Sequence, residues 1–268
     1  MITVTGATGN LGRVVLDDLL ARIAPTEIVA AARTPGKLAG LGVEVRHGDY
    51  DDPASLRAAF AGSDVLLFVS GSDVTPGVRV RQHGNVVDAA RAAGVGRVVY
   101  TSAVHSQDGP GFLADHGVTE DLLRDSGLVH TVLRNTFYAE ALVNPGLAEV
   151  VAAGELTGAD EGGRVNFATI ADLGLAASRV LTDDGHAGAT YELRGPLWTV
   201  PELAATVSEV ADRPVAYRAV SADDLGPAGF VHRLIASGLF SEPSDDLEKL
   251  LGRPATPLRA AVEAVLVP

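Results

Sequence analysis

The sequence predicts an α/β fold built on a doubly wound parallel sheet, with a small carboxyl-terminal α+β lobe, and three observations carry that prediction. Apolar runs of strand length alternate with amphipathic stretches through the first half of the chain. A glycine-rich turn, Gly6-Ala7-Thr8-Gly9-Asn10-Leu11-Gly12, joins the first strand to the first helix. Past residue 134 the alternation gives way to an irregular mixture of short segments and helices.

The elements follow in order. Ile2-Thr3-Val4 is an apolar run of the kind buried on both faces, and Leu11, Val14, Val15, Leu19 and Leu20 then recur at helical spacing. Further strands are expected near 27–32, 43–46, 64–69, 97–102 and 128–133, with helices near 11–23, 53–61, 78–93 and 112–126. Right-handed crossovers between such strands place helices on both faces and ligands at the strands' carboxyl ends. The second half reads as a helix near 139–153, short segments near 155–157 and 164–168, and a helix near 169–182. Thr190-Tyr191-Glu192-Leu193 reads as a strand returning to the sheet, before a helix near 200–211, a strand near 215–220 and helices to the end. The expected organisation is a Rossmann-type core over 1–135, rejoined by 164–195, with a smaller lobe from 136–163 and 196–268. Short Gly/Pro-rich linkers are expected at 108–111 and 225–229.

Composition narrows the function. The 268 residues carry a formal charge of −13, which repels a phosphate backbone and argues against a nucleic-acid partner. Cysteine is absent, so thiol nucleophiles, disulfides and cysteine-ligated metals are excluded together. No apolar run approaches the roughly 20 residues of a membrane span, and the chain opens on a strand without a basic and apolar leader. A cytoplasmic location is expected. The histidines show no metal spacing, and no Gly-x-Ser-x-Gly elbow is present.

The glycine turn is a phosphate cradle. Its glycines admit a pyrophosphate close to the backbone, and the first N–H groups of the helix that follows neutralise it, so Gly6, Ala7, Thr8, Gly9, Asn10 and Leu11 are candidate dinucleotide contacts. An acid at the end of the second strand would bind a ribose 2′-hydroxyl. Here Glu27-Ile28-Val29-Ala30-Ala31-Ala32 ends in Arg33, with Lys37 a turn later. A guanidinium offers paired donors to a 2′-phosphate, so the expected cofactor is NADP(H).

The chemistry at the strand tips is partly defined by exclusion. Short-chain reductases pair a tyrosine with a lysine four residues on, but Tyr50, Tyr100, Tyr138, Tyr191 and Tyr217 are followed at that distance by Ala54, Val104, Leu142, Gly195 and Ser221. An acceptor needing little acid assistance, such as a quinone, fits; an unactivated ketone does not. Candidate residues near the nicotinamide are Ser70-Gly71-Ser72-Asp73 after the fourth strand and Thr101-Ser102 after the fifth. His116 and Glu120, four apart on one helix, form a candidate acid/base pair, against the alternative of a surface contact. Asn135, Phe137 and Tyr138 combine amide, aromatic and phenol groups suited to a flat substrate.

These motifs together resemble the NmrA-like atypical short-chain reductases. The resemblance runs over nearly the whole chain: Ile2 to Gly9, Gly48-Asp49-Tyr50, Gln82-His83-Gly84-Asn85-Val86-Val87, Tyr100-Thr101-Ser102, Asp125-Ser126-Gly127-Leu128, Leu133-Arg134-Asn135, Tyr191-Glu192-Leu193 and Leu251 to Leu258. It implies NADPH as donor, a quinone or other electrophilic aromatic acceptor, no metal or flavin, and a cleft between core and lobe. Carried over by position, Gly6 to Leu11 and Arg33 hold the adenosine-phosphate end, with Asp49 and Tyr50 as further cofactor candidates. Ser72, Asp73 and Val74 lie near the cofactor, and Tyr138 to Val143 over it. His83, Asn135, Phe137 and Tyr138 are substrate candidates; Tyr138, His116 and Ser102 are the catalytic ones. A homodimer is a candidate assembly. The family's usual cations are replaced by Asp121 and Ile170. An NADP-binding redox sensor without catalysis is the alternative function.

Overall fold

A computed structural model describes residues 1–109 and 111–267. Pro110, inside the predicted 108–111 linker, and Pro268, the last residue of the predicted lobe, lie outside the described residues. The chain runs β1 (Ile2–Val4), α1 (Asn10–Arg22), β2 (Ile28–Ala32), β3 (Glu44–His47), α2 (Pro53–Phe60), β4 (Val65–Phe68), α3 (Val78–Ala92), β5 (Arg97–Ala103), α4 (Ala114–Ser126) and β6 (His130–Asn135). It continues with α5 (Leu147–Ala153), β7 (Glu155–Gly158), β8 (Arg164–Val165), α6 (Ile170–Thr182), β9 (Thr190–Leu193), β10 (Trp198–Thr199) and α7 (Val200–Ala211). Last come β11 (Ala216–Ala219), α8 (Gly229–Ala236), α9 (Asp246–Leu251) and α10 (Leu258–Leu266).

The chain divides into two units, the first Met1–Asn135 with Leu173–Glu192 and the second Thr136–Asp172 with Leu193–Pro268. Residues 164–172 and 193–195, expected to return to the core, cluster with the second unit instead. There β8 pairs antiparallel with β10, Trp198 opposite Val165, and that local ladder outweighs their position in sequence.

In the first unit seven parallel strands stand in the order β3-β2-β1-β4-β5-β6-β9. All five residues of β2 are buried, which is why it reads as an unbroken apolar run with a helix layer on each face. Leu56, Phe60, Leu66, Phe68, Val86 and Tyr100 form the core against α2 and α3. Gly174 of α6 sits where a Cβ would come within 2.5 Å of Val14 Cγ1, so α1 and α6 pack closely only because that position has no side chain.

The second unit holds the β10–β8 pair and a parallel β11–β7 pair. Phe137, Phe167, Phe240 and Trp198 pack as an aromatic cluster, with Phe137 stacked on Phe167 at 5.6 Å and edge-on to Phe240 at 5.1 Å. Buried Asp172 accepts from Arg253 and from the Thr256 backbone, both at 2.6 Å. The single helix expected over 139–153 is instead a 3-10 turn at Ala139–Ala141 and the separate α5. Pro145 disfavours a helical Asn144, whose Oδ1 accepts from the Gly146 N–H at 2.9 Å and makes a turn there. The expected linker at 225–229 is a kink within a helical stretch, with Gly226 at φ 53°. Among the described residues no helix is long and apolar enough to cross a membrane.

Candidate functional site

The cradle is built from the backbone upward. Gly6 adopts φ +59°, which favours glycine, and its carbonyl accepts from the Gly9 N–H at 2.9 Å to close the turn. A Cβ on Gly12 would lie 2.4 Å from that same carbonyl oxygen, so α1 approaches the turn only with glycine there. Gly9 caps α1 in extended conformation without a side-chain bond, and the first turn holds no acid. Thr8, Gly9 and Asn10 are exposed, and the opening N–H groups of α1 have no intrahelical acceptors. A helix start of this kind favours an anion.

Arg33 leaves the end of β2 exposed, with Lys37 on the following 3-10 turn, and among the described residues neither has an ion pair. Asp49 accepts the Asp51 N–H at 3.0 Å. Tyr50 donates to the Val69 carbonyl at 2.6 Å and lies 2.6 Å from Thr5 Oγ1; burial pushes its phenol well above the usual range. It therefore fastens the ends of β1, β3 and β4 to one another.

The segment after β4 is held residue by residue. The Val69 N–H donates to Thr5 Oγ1 at 3.0 Å, Ser70 N–H to Thr101 Oγ1 at 2.9 Å, and Gly71 N–H to His83 Nε2 at 2.9 Å. The Gly71 carbonyl accepts from Arg79 Nε at 2.9 Å. A backbone N–H can only donate, so His83 Nε2 is unprotonated and its Nδ1–H faces Thr119 Oγ1 at 2.7 Å. Burial, then His116 and Arg79, lowers the His83 pKa to about 3. Ser72, Asp73 and Val74 beyond this clamp are exposed, Asp73 accepting the Thr75 N–H at 2.9 Å.

His116 and Glu120 form neither the candidate acid/base pair nor the alternative surface contact, for both are buried and each has other partners. His116 is buried, 2.8 Å from the Tyr100 hydroxyl and 3.4 Å from Arg79, and burial with the Arg79 charge lowers its pKa to about 3. Glu120 takes other partners: Ser102 Oγ at 2.5 Å, Ser106 Oγ at 2.7 Å, Gln107 at 2.9 Å and Arg134 at 2.7 Å. Burial alone would raise its pKa, but Arg134 and the hydroxyls outweigh that and bring it to about 2. Arg134 also reaches Glu192 at 3.0 Å, tying β6 to β9. The Ser102 and Thr101 hydroxyls are thus both engaged inside the unit.

Asn135 ends β6 with its Oδ1 buried and, among the described residues, without a hydrogen-bond partner. An amide oxygen in that state costs about 1–3 kcal/mol until something donates to it. In the second unit Phe137 belongs to the aromatic cluster, and Tyr138 bridges to Ala168. Sequence reasoning overlooked Arg79 and the Glu120–Arg134 pair. Arg79, Gln82 and His83 share one face of α3 at helical spacing, which was the available signal; the reach of Arg134 across the sheet left none.

The fold, the strand order and this cradle define a protein of the dinucleotide-binding α/β class. Residues 6–179 match the family model described as NAD(P)H-binding, and the chain belongs to that family, among its NmrA-like reductases. It is 41% identical to quinone oxidoreductase 2 of Escherichia coli strain K12, over 98% of this chain and 97% of that one. The Citrobacter sp. triphenylmethane reductase complexed with NADP(H) superposes with a TM-score of 0.95 at 38% identity, covering 99% of this chain and 100% of that one. The Escherichia coli NADPH-dependent quinone oxidoreductase complexed with NADPH gives 0.90 at 38% identity, covering 99% of each.

Proposed function

We propose that this chain is an NADPH-dependent oxidoreductase that reduces quinones by hydride transfer. The observation that carries the reading is a helix start free of acids, facing a second strand that ends in an unpaired arginine where an NAD-binding chain carries a carboxylate. The near full-length likeness to a quinone oxidoreductase and to NADPH-bound structures supports it.

In this reading the turn at Gly6 to Leu11 binds the pyrophosphate, and Arg33, with Lys37, binds the 2′-phosphate. Asp49 takes the adenosine side. Ser70 to Val74 line the cofactor on a backbone that Thr5, Thr101, His83 and Arg79 hold in place. Asn135 Oδ1, unpartnered among the described residues, accepts a donor from the bound cofactor or acceptor. NADPH, when bound, supplies the hydride.

The residues' protonation states favour an acceptor needing little acid assistance. His83 and His116 are neutral and buried, the phenols of Tyr50 and Tyr100 are pushed far up by burial, and the Ser102 proton is tied to Glu120. None is poised to give a proton near neutrality. A quinone gains aromaticity on reduction and takes its proton from water or a weak donor. His83 and His116 accordingly serve as positioning residues. Phe137 and Tyr138 stay assigned to the acceptor by family resemblance, and Tyr138→Phe tests that role through the quinone KM.

The reaction is followed by loss of nicotinamide absorbance on mixing the protein, NADPH and a benzoquinone. Turnover well above the uncatalysed rate is expected. Tight NADPH binding without turnover would replace this reading with the redox-sensor one.

A further inference from the structure

Asp51 follows β3 next to the strand that ends at Arg33, but its carboxylate is held by α3. β2 and β3 run in parallel register with Ala32 opposite His47, and the Gly48 N–H donates to the Ala32 carbonyl at 3.1 Å. The chain segments beginning at Arg33 and at Gly48 therefore leave the sheet side by side. Asp51 does not pair with Arg33. It accepts from Arg81 of α3 at 2.6 Å and from Gln82 Nε2 at 2.9 Å, while Asn85 Nδ2 donates to the Tyr50 carbonyl at 2.9 Å. Three residues of α3, Arg81, Gln82 and Asn85, thus grip the 50–51 turn.

From this juxtaposition we infer that Arg81 is a specificity-determining residue: by holding and neutralising Asp51 it leaves the Arg33 guanidinium free for a 2′-phosphate. The inference rests on the assignment of Arg33 to that phosphate. Hydrogen bonds from Arg81, then Gln82, keep the Asp51 carboxyl below the usual carboxylate range, and the Arg33 charge acts in the same direction, placing the two within electrostatic reach. Remove Arg81, and Asp51 becomes a carboxylate held by Gln82 alone, its charge no longer neutralised and still within reach of Arg33. It would then compete with the phosphate for the guanidinium and repel the phosphate directly. A cofactor with a free 2′-hydroxyl would meet neither penalty.

The test is the ratio of NADH to NADPH dissociation constants, measured by calorimetry at low salt for the unaltered protein and for Arg33→Ala, Arg81→Ala, Asp51→Asn and the double variant Arg81→Ala/Asp51→Asn. Arg81→Ala should weaken NADPH binding roughly three- to tenfold, the scale of one unscreened charge against a phosphate dianion near a surface, with NADH within about twofold. The double variant should recover most of that loss, and added salt should shrink it. An equal loss for both cofactors, or a double variant no better than Arg81→Ala, would show that Arg81 only braces the turn and would overturn the inference. If Arg33→Ala itself fails to separate the two cofactors, the phosphate assignment falls and takes the inference with it. A discriminating Arg33→Ala beside an indifferent Arg81→Ala overturns the inference alone.

Discussion

Arg33 and the buried histidines His83 and His116 differ in how far their surroundings could be read from the sequence. The role proposed for Arg33 is positional: in dinucleotide-binding folds the residue ending the second strand after the glycine turn faces the ribose. Replacing it with alanine should weaken NADPH binding by about 1–3 kcal/mol and leave NADH nearly unchanged, read by calorimetry. The spacing of His116 and Glu120 misled, because four residues along a helix fix a shared face but not the partners across it. Ser102, Ser106 and Arg134 claim the carboxylate. His83 and His116 stay neutral in the fold with pKa values near 3, whereas unfolded histidines titrate near 6.5. Between those values the unfolded chain binds more protons, so stability is complete above about pH 6.5 and falls as pH drops toward 3. Urea unfolding at pH 7.5 and 5.5 should differ by roughly 2–3 kcal/mol, and His83→Gln should flatten the slope. Glu120 adds its own loss only below its ordinary value, down to about 2, so the histidine effect stands alone between about pH 6.5 and the carboxylate range.

Elements were legible where periodicity is long and turns are ordinary. All nine strands and helices predicted through 126 appear within a few residues of their expected bounds, and β6 with them. The element that failed, the helix over 139–153, failed at Asn144-Pro145-Gly146, whose turn chemistry overrides the apolar spacing on either side. The glycine turn makes a prediction at this scale because its three glycines are not equivalent. Gly12→Ala forces a Cβ to 2.4 Å from the Gly6 carbonyl oxygen, whereas the same change at Gly9 meets it at 3.3 Å. Gly12→Ala should lower stability by about 1–3 kcal/mol and abolish NADPH binding together. Gly9→Ala should fold nearly as well and lose affinity only. A thermal melt beside a titration distinguishes them, and equal behaviour of the two variants would contradict the close packing of α1.

At the scale of the whole molecule the sequence conveyed the order of layers and the formal charge of −13, but not where one unit stops and the next begins. The sequence reading places 164–195 with the core through the returning strand at Thr190-Tyr191-Glu192-Leu193, whereas residues 164–172 cluster with the second unit. Pairing of Val165 with Trp198 decides this, and such a two-residue ladder leaves no periodicity to read. Each unit is assembled from separated stretches of chain. β6 lies between β5 and β9, and β9 begins at Thr190. A fragment of residues 1–135 should therefore present the flank of β6 unpaired and self-associate, which light scattering would detect, while supplying 173–193 should suppress it.

That interleaving sets a schedule on the ribosome. A nascent polypeptide has made six of the seven strands long before the last emerges, and at about 5–20 residues per second the gap of some fifty residues lasts for seconds. Throughout that interval the growing chain carries an open hydrogen-bonding margin, so its yield in the cell depends on what shields that margin until synthesis reaches Leu193.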